Sequence, residues 1–142
     1  MKIITFKRPK ESFNQGIPYK IFIGDNMLTE LKNGEKKTIE IPAKFEKNTI
    51  KAKIQKWWGS ENIQLNSLSE NETLIIKGNK FLNKKGIFII ALLPLTGPFM
   101  FGYGRENSVI KNIGIGLFVL ILSFAIGYLT LGRNKWLKIE KD

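Results

Sequence analysis

Two adjacent tryptophans with lysines just before them are the most distinctive recognition feature of this chain: Trp57 and Trp58 follow Lys53 and Lys56. Indole rings offer a large apolar contact area and one hydrogen-bond donor, and ammonium groups attract anions. This combination is typical of a contact surface for a protein partner or for lipid headgroups. Because neighbouring side chains in a strand point to opposite faces, the pair also fits one core Trp and one surface Trp.

The residue types that most often carry catalysis are missing. The chain contains no Cys and no His, which removes thiol nucleophiles, disulfides, Cys-ligated metals and the commonest general base. The acidic residues of the first half form no recognisable catalytic or metal-binding pattern; they are Asp25, Glu30, Glu35, Glu40 and Glu46. We therefore expect a protein that is not an enzyme and that has no metal and no cofactor.

Positive charge dominates the chain, with 23 Lys and Arg against 12 Asp and Glu and a net charge of +11. Residues 1–85 account for 17 of the basic and 9 of the acidic residues. Such an excess attracts anionic lipid or nucleic acid. No nucleic-acid-binding motif accompanies it, and the acidic residues are interspersed. The pattern therefore favours a solvated basic surface and argues against nucleic acid as a partner.

Two long apolar segments, residues 87–103 and 113–131, occupy the last third of the chain and contain no charged residue. A helix rises 1.5 Å per residue, so each is about long enough to cross a hydrocarbon core of roughly 30 Å. A polar loop at 104–112 joins them. The sequence predicts a two-span transmembrane hairpin between a basic linker at 81–86 and a basic tail at 132–142.

Basic residues cluster at the outer ends of the two predicted spans, with eight there against two in the loop between them. Lys and Arg near span ends favour the cytoplasmic side. We therefore expect an integral protein of a bacterial inner (plasma) membrane, with both termini in the cytoplasm. Trp136, just after the second span, fits an interfacial anchor. The membrane-flanking candidates are Lys80, Lys84, Lys85, Arg133, Lys135 and Lys138.

Three small residues lie on one side of the second predicted span. Ser123 and Gly127 are four positions apart, and Gly116 falls on a similar side. Small residues let helix backbones approach closely in a membrane. The pattern predicts packing of the two spans on each other, or self-association of hairpins into a homo-oligomer. Neither span contains an ionisable residue, which argues against a pore or transporter.

Residues 1–80 alternate between apolar and polar side chains with period two, and turn-forming residues break the alternation at short intervals. This pattern predicts strands. We expect about seven short antiparallel strands in a small β-sandwich. Asn33-Gly34 is the strongest turn signal and predicts a two-residue hairpin. The strands are expected at 3–7, 19–23, 27–31, 37–41, 48–55, 61–65 and 72–77.

Residues 1–80 form the predicted head of the protein, and within it residues 19–54 have a distinctive order of features. The strand YKIFI leads to a Gly/Asp turn, then to LKNGE, to a strand ending in Ile-Pro-Ala, and to the alternating strand NTIKAKI. This order resembles the PEGA-like group of small bacterial β-sandwich domains. The resemblance implies a non-catalytic interaction or spacer domain of the kind often attached to membrane proteins.

The sequence leaves three functional hypotheses open. In the first, the hairpin tethers the head beside the lipid bilayer, where the head binds an unidentified protein partner. In the second, the hairpin drives assembly of a homo- or hetero-oligomeric membrane complex, and the head is a structural appendage. In the third, the head lies outside the cytoplasm and binds surface material.

Overall fold

The chain divides into two compact units in the computed structural model, which describes residues 1–142. The first unit combines Met1–Asn79 with Arg133–Asp142 and contains the strands. The second unit, Lys80–Gly132, is helical. The predicted combination of a β domain with two apolar helices is confirmed.

The β unit contains nine strands in two sheets. The first sheet has the order β4-β1-β8-β9, and the second has the order β3-β2-β5-β6, with β7 also paired to β5. The strands are β1 (Lys2–Lys7), β2 (Tyr19–Ile23), β3 (Asn26–Leu31), β4 (Lys36–Ile41), β5 (Thr49–Ile54), β6 (Trp58–Gly59), β7 (Ile63–Gln64), β8 (Glu72–Gly78) and β9 (Leu137–Lys141).

Both sheets contribute to one apolar core. Alternate residues of each main strand are buried, such as Ile4 and Phe6 in β1 and Ile21 and Ile23 in β2. Burying one such side chain contributes about 1.5–3 kcal/mol to folding. The period-two alternation of the sequence therefore does specify which face of each strand packs inward.

One strand pair departs from the expected antiparallel arrangement. β1 and β8 run parallel, with Ile4 opposite Glu72 and Lys7 opposite Ile75. Parallel neighbours need a long crossover connection, and the chain between these two strands supplies it. The alternation in the sequence is the same for either strand direction, so it did not distinguish them.

The Asn33-Gly34 turn forms, but it does not close a hairpin. Glu35 N donates to Lys32 O at 3.1 Å, and Gly34 alone has a positive φ, of 79°. A turn with positive φ only at its third residue does not match the twist of paired strands. The flanking strands β3 and β4 therefore enter different sheets. The two-residue hairpin lies instead at Gly24-Asp25, between β2 and β3.

The C-terminal segment is part of the β unit, which corrects the expectation of a basic tail at 132–142. Strand β9 pairs antiparallel with β8, Gly78 opposite Leu137 and Leu74 opposite Lys141. Leu137 is 1% exposed and belongs to the shared core. The alternation of Leu137 and Ile139 with charged residues carried a strand signal, but the charges suggested only a membrane flank. The helical segment is thus an insertion between two neighbouring strands of one sheet.

Two helices are long and apolar enough to cross a membrane, Phe81–Arg105 and Ser108–Thr130. The first is irregular. Pro94 and Pro98 supply no backbone N–H and break its second half, where Thr96 Oγ1 donates to Leu93 O at 2.7 Å. Its turns are π-helical at Phe81–Gly86, α-helical at Ile87–Ala91, 3-10 at Leu93–Leu95, π-helical at Pro98–Gly102 and 3-10 at Tyr103–Arg105. The second is regular and is capped by Asn107 Oδ1, which accepts from two backbone N–H groups.

The two helices meet on a different face of the second helix from the one predicted. Gly114 packs against Phe99 and Met100, and the ring of Tyr128 covers Gly86. The predicted small residues point elsewhere: a Cβ added at Gly116 or Gly127 would have no neighbouring atom within 4 Å, and Ser123 is exposed. Gly116 and Ser123 lie two positions from the contact-face residues Gly114 and Ala125, which is about 200° around a helix of 3.6 residues per turn. Gly127 lies one position before Tyr128, about 100° around the helix.

Candidate functional site

The predicted Trp–Lys surface lies on the outer side of β5 and on the turn that follows it. Ile50, Ala52 and Ile54 point into the core, so Lys51 and Lys53 share the opposite face. Gln55 opens the turn with a φ of 57°. β6 then pairs back, with Gly59 opposite Lys53. The strand register thus places Lys51, Lys53 and Gly59 on the outer side of the sheet. Trp58 lies opposite Ile54, and Trp57 lies in the turn, so the register alone does not put the Trp pair on the lysine side.

The two predicted tryptophans have different environments. Trp57 lies in the turn and is 63% exposed. Trp58 is half-buried and stacks on Trp136, with ring centroids 4.7 Å apart and an angle of 19° between the planes. Trp136 is 6% exposed, so it is not the free interfacial anchor that its position suggested. An aromatic pair of this kind contributes about 0.5–1.5 kcal/mol beyond its burial.

The segment after the second apolar helix is bonded to this surface. Gly59 N donates to Arg133 O at 2.9 Å, and Lys51 Nζ donates to Asn134 Oδ1 at 3.1 Å. Together with the Trp58–Trp136 stack, these bonds hold residues 133–136 beside β5 and β6. Arg133 therefore joins Lys51 and Lys53 although it lies far from them in sequence.

These groups surround an open cavity of about 310 Å³ that has no acidic residue in its lining. The five ion pairs of the chain all lie elsewhere. The basic side chains of the cavity therefore have no carboxylate partner. Its lining residues are Lys51, Lys53, Lys56, Trp57, Trp58, Gly59, Arg133 and Asn134.

The electrostatics of the cavity favour the binding of an anion. Burial, and then the positive charges of Lys53 and Arg133, lower the pKa of Lys51. Lys53 Nζ lies 4.6 Å from the ring centre of Phe22, and Lys56 Nζ lies 5.5 Å from that of Trp57. These cation–π contacts position ammonium groups without neutralising them. The arrangement can supply charge-assisted hydrogen bonds and apolar contact to a ligand.

The structure brings Lys53, Lys56, Trp57 and Trp58 together as one surface, and Arg133 with them. Lys51 and Asn134 are further members that the sequence reasoning did not select. The alternation of residues in β5 predicts that Lys51 and Lys53 lie on the same side of the strand. The contact of Asn134 with Lys51 could not be predicted in this way, because it forms only when the chain returns to the β unit after the second apolar helix. The other flanking residues lie outside this cavity: Lys80, Lys84, Lys85, Lys135 and Lys138.

Lys135 and Lys138 line a second cavity, of about 490 Å³, between β7 and β9. Glu61 and Glu140 lie in the same lining, and Glu140 forms an ion pair with Lys77. Positive charge in this second cavity therefore faces negative charge, which distinguishes it from the acid-free cavity beside β5.

No protein-family profile, curated protein sequence or solved structure matches this chain. The PEGA-like resemblance therefore stays a prediction. A fold would in any case not assign a function, because unrelated functions share folds. The features of this chain that bear on its function are the basic cavity, the tryptophans and the inserted helices.

Proposed function

We propose that this protein is a membrane-anchored, non-catalytic interaction module that holds a β-sandwich recognition domain beside a bilayer. The insertion of the two apolar helices between β8 and β9 carries this proposal. β8 ends at Gly78 just before the first apolar helix, and β9 begins at Leu137 soon after the second. Both ends of the insertion are tied to adjacent strands, which fits two crossings that leave and re-enter on one side of a membrane.

The sandwich and the PEGA-like character of the head are part of the same proposal. The shared apolar core of the two sheets supports a two-layer arrangement, since each sheet must bury one face against another element. The parallel β1–β8 pair and the inserted helices are departures from a simple antiparallel sandwich.

Anchoring would act by raising local concentration. A module held at a surface meets partners in the same membrane at an effective concentration of about millimolar. Arg133 follows the second apolar helix after only Leu131 and Gly132, so covalent chain length keeps it within about 11 Å of Thr130. Since Arg133 is bonded to Gly59, the Trp57–Trp58 surface would be presented close to the membrane to an unidentified protein or lipid partner.

Cysteine labelling tests this arrangement, because the chain contains no Cys of its own. Single cysteines replace Ser12, Asp142 and Ser108, all of which are exposed. In intact cells, we expect an impermeant thiol reagent to label Ser108→Cys only. Ser12→Cys and Asp142→Cys should react together, and only after permeabilisation, because both belong to the β unit and basic residues favour the cytoplasm.

Two outcomes would contradict this expectation in different ways. Labelling of Ser12→Cys and Asp142→Cys alone in intact cells would place the head outside the cytoplasm and favour the surface-binding hypothesis. Release of the protein from membranes by alkaline carbonate would show that the helices do not span, and the anchoring proposal would fail.

A second candidate function, hairpin-driven assembly of a membrane complex, is favoured by the free side of the second apolar helix. Gly116, Ser123 and Gly127 take no part in the contact between the two helices. A second hairpin could approach this side closely. In this case the head would be a structural appendage.

Replacing Gly127 with leucine tests hairpin assembly. The added side chain should weaken self-association in lipid vesicles by about fivefold or more, as expected for a loss of about 1 kcal/mol of packing. Energy transfer between labelled copies measures the association. Leu122→Phe is the matched control, because it adds volume about 140° away from Gly127 around the helix. Equal association of wild type and both variants would exclude this side as an assembly surface.

A further inference from the structure

We infer that Lys51, Lys53 and Arg133 form a binding site for the phosphate of an anionic phospholipid headgroup. The site rests on the proposed anchoring, which would bring lipid phosphates to it. It deepens that proposal by naming a ligand class and by adding Lys51 to the residues that bind. Charge, the shape of the cavity and the neighbouring Trp57 all support this site.

The positive charges of the cavity favour the binding of an anion. Four cations line one cavity, the three residues of the proposed site and Lys56, and none has a carboxylate partner although the chain forms five ion pairs elsewhere. Phosphate oxygens accept charge-assisted hydrogen bonds from ammonium groups and from the guanidinium fork. The lowered pKa of Lys51, caused by burial and by Lys53 and Arg133, agrees with this uncompensated positive charge.

The backbone shapes the cavity for such a ligand. Gly59 lies beneath the two lysines: a Cβ there would be 3.3 Å from Lys53 Cγ, 3.4 Å from Lys51 Cε and 2.6 Å from Ala52 O. Glycine therefore allows both side chains to lie over the same patch of backbone. Asn134 Oδ1 holds Lys51 Nζ at 3.1 Å, so one ammonium group is already positioned before a ligand arrives.

The surroundings favour a lipid over free phosphate. Trp57 lies at the tip of the β5–β6 turn, is 63% exposed and has Lys56 beside its ring. Exposed indole rings partition to the headgroup region of bilayers. The short chain between Thr130 and Arg133 keeps the guanidinium near one end of a membrane-length helix. A headgroup phosphate could therefore meet the cations while Trp57 contacts the lipid interface.

The test uses the full-length chain in neutral-detergent micelles, titrated with short-chain phosphatidylglycerol and followed by Trp fluorescence. All three Trp residues lie in the β unit, and two of them line the cavity. Combined Lys51→Gln, Lys53→Gln and Arg133→Gln changes should weaken binding by at least about tenfold, since three basic groups that attract anionic lipid are removed. The control carries the same charge loss at exposed sites that form no ion pair: Lys10→Gln, Lys36→Gln and Lys47→Gln.

If the control variant weakens phosphatidylglycerol binding less than twofold, the loss in the cavity variant is due to the site and not to net charge. Retention of binding by Lys53→Arg would show that Lys53 contributes its positive charge. Unchanged urea midpoints would show that the variants are folded. Equal binding by wild type and the triple cavity variant would overturn the site. Saturation by inorganic phosphate at the same concentrations would overturn the lipid assignment. Because the titration needs no bilayer, these results are independent of the labelling experiment that tests anchoring.

Discussion

Replacing Arg8 with alanine is expected to lower the free energy of unfolding of the β unit by about 3–5 kcal/mol, the usual effect of removing one partner from a buried ion pair. Arg8 is 1% exposed. Its guanidinium lies 3.5 Å from the ring centre of Tyr19 and its Nε lies 3.5 Å from Glu11 Oε2. It also donates to three backbone carbonyls, at Asn14, Ile17 and Leu31.

The large effect follows from what Arg8 would leave behind. Glu11 Oε1 accepts from Gly78 N at 2.5 Å, and Glu11 Oε2 accepts from the Tyr19 hydroxyl at 2.5 Å. Burial, and then the bond to Glu11, raise the pKa of Tyr19, so its hydroxyl stays a neutral donor. Without Arg8, this nearly buried carboxylate would lose its counter-charge. The loop that carries Glu11 would then detach from the end of β8, where the helical insertion begins.

Urea unfolding of the full-length chain in micelles, followed by Trp fluorescence, measures this effect. The signal reports on the β unit alone, because Trp57, Trp58 and Trp136 all belong to it. Lys10→Ala is the matched control, since Lys10 is an exposed cation of the same loop; its effect should stay within about 0.5 kcal/mol. If Arg8→Ala changed the free energy of unfolding by a similarly small amount, water would be able to take the place of Arg8 beside Glu11, and the prediction would be wrong.

Replacing Leu137 with alanine is expected to destabilise the same unit by about 2–5 kcal/mol through the loss of buried apolar surface and the cavity left behind. Leu137 is 1% exposed and packs in the core shared by both sheets, although it follows the second apolar helix in sequence. A chain that ends after Lys135 should be affected more strongly, because it also loses the Trp58–Trp136 stack and the β8–β9 ladder.

The control for Leu137 is its neighbour Lys138, which is exposed on the other face of β9. Lys138→Ala should change the free energy of unfolding by less than about 0.5 kcal/mol. The same urea experiment compares the two variants. If the chain ending after Lys135 unfolded at the wild-type urea concentration, β9 would not be part of the β domain, and the helical segment would be a terminal anchor rather than an insertion.

Local patterns in the sequence were sufficient for several strands. Tyr19–Ile23 was predicted with the bounds that the structure has, and the Thr49–Ile54 strand lies within the predicted range. The short strand β6 was missed because two residues are too few to show alternation. β9 was missed because its lysines matched the expected flank of a membrane span. Arg8 gave no signal either, since a basic residue before a Pro in a polar segment fits a solvated loop.

The sequence by itself determined the two membrane-length apolar helices, the inward faces of the main strands and the grouping of Trp57 and Trp58 with nearby lysines. These properties depend on hydrophobic period and composition, which act over short stretches of chain. Only the tertiary structure decided that β1 pairs parallel with β8, that the chain returns as β9, and that Arg133 and Asn134 join Lys51 and Lys53. The physical reason is that strand pairing and charge compensation depend on residues far apart in sequence.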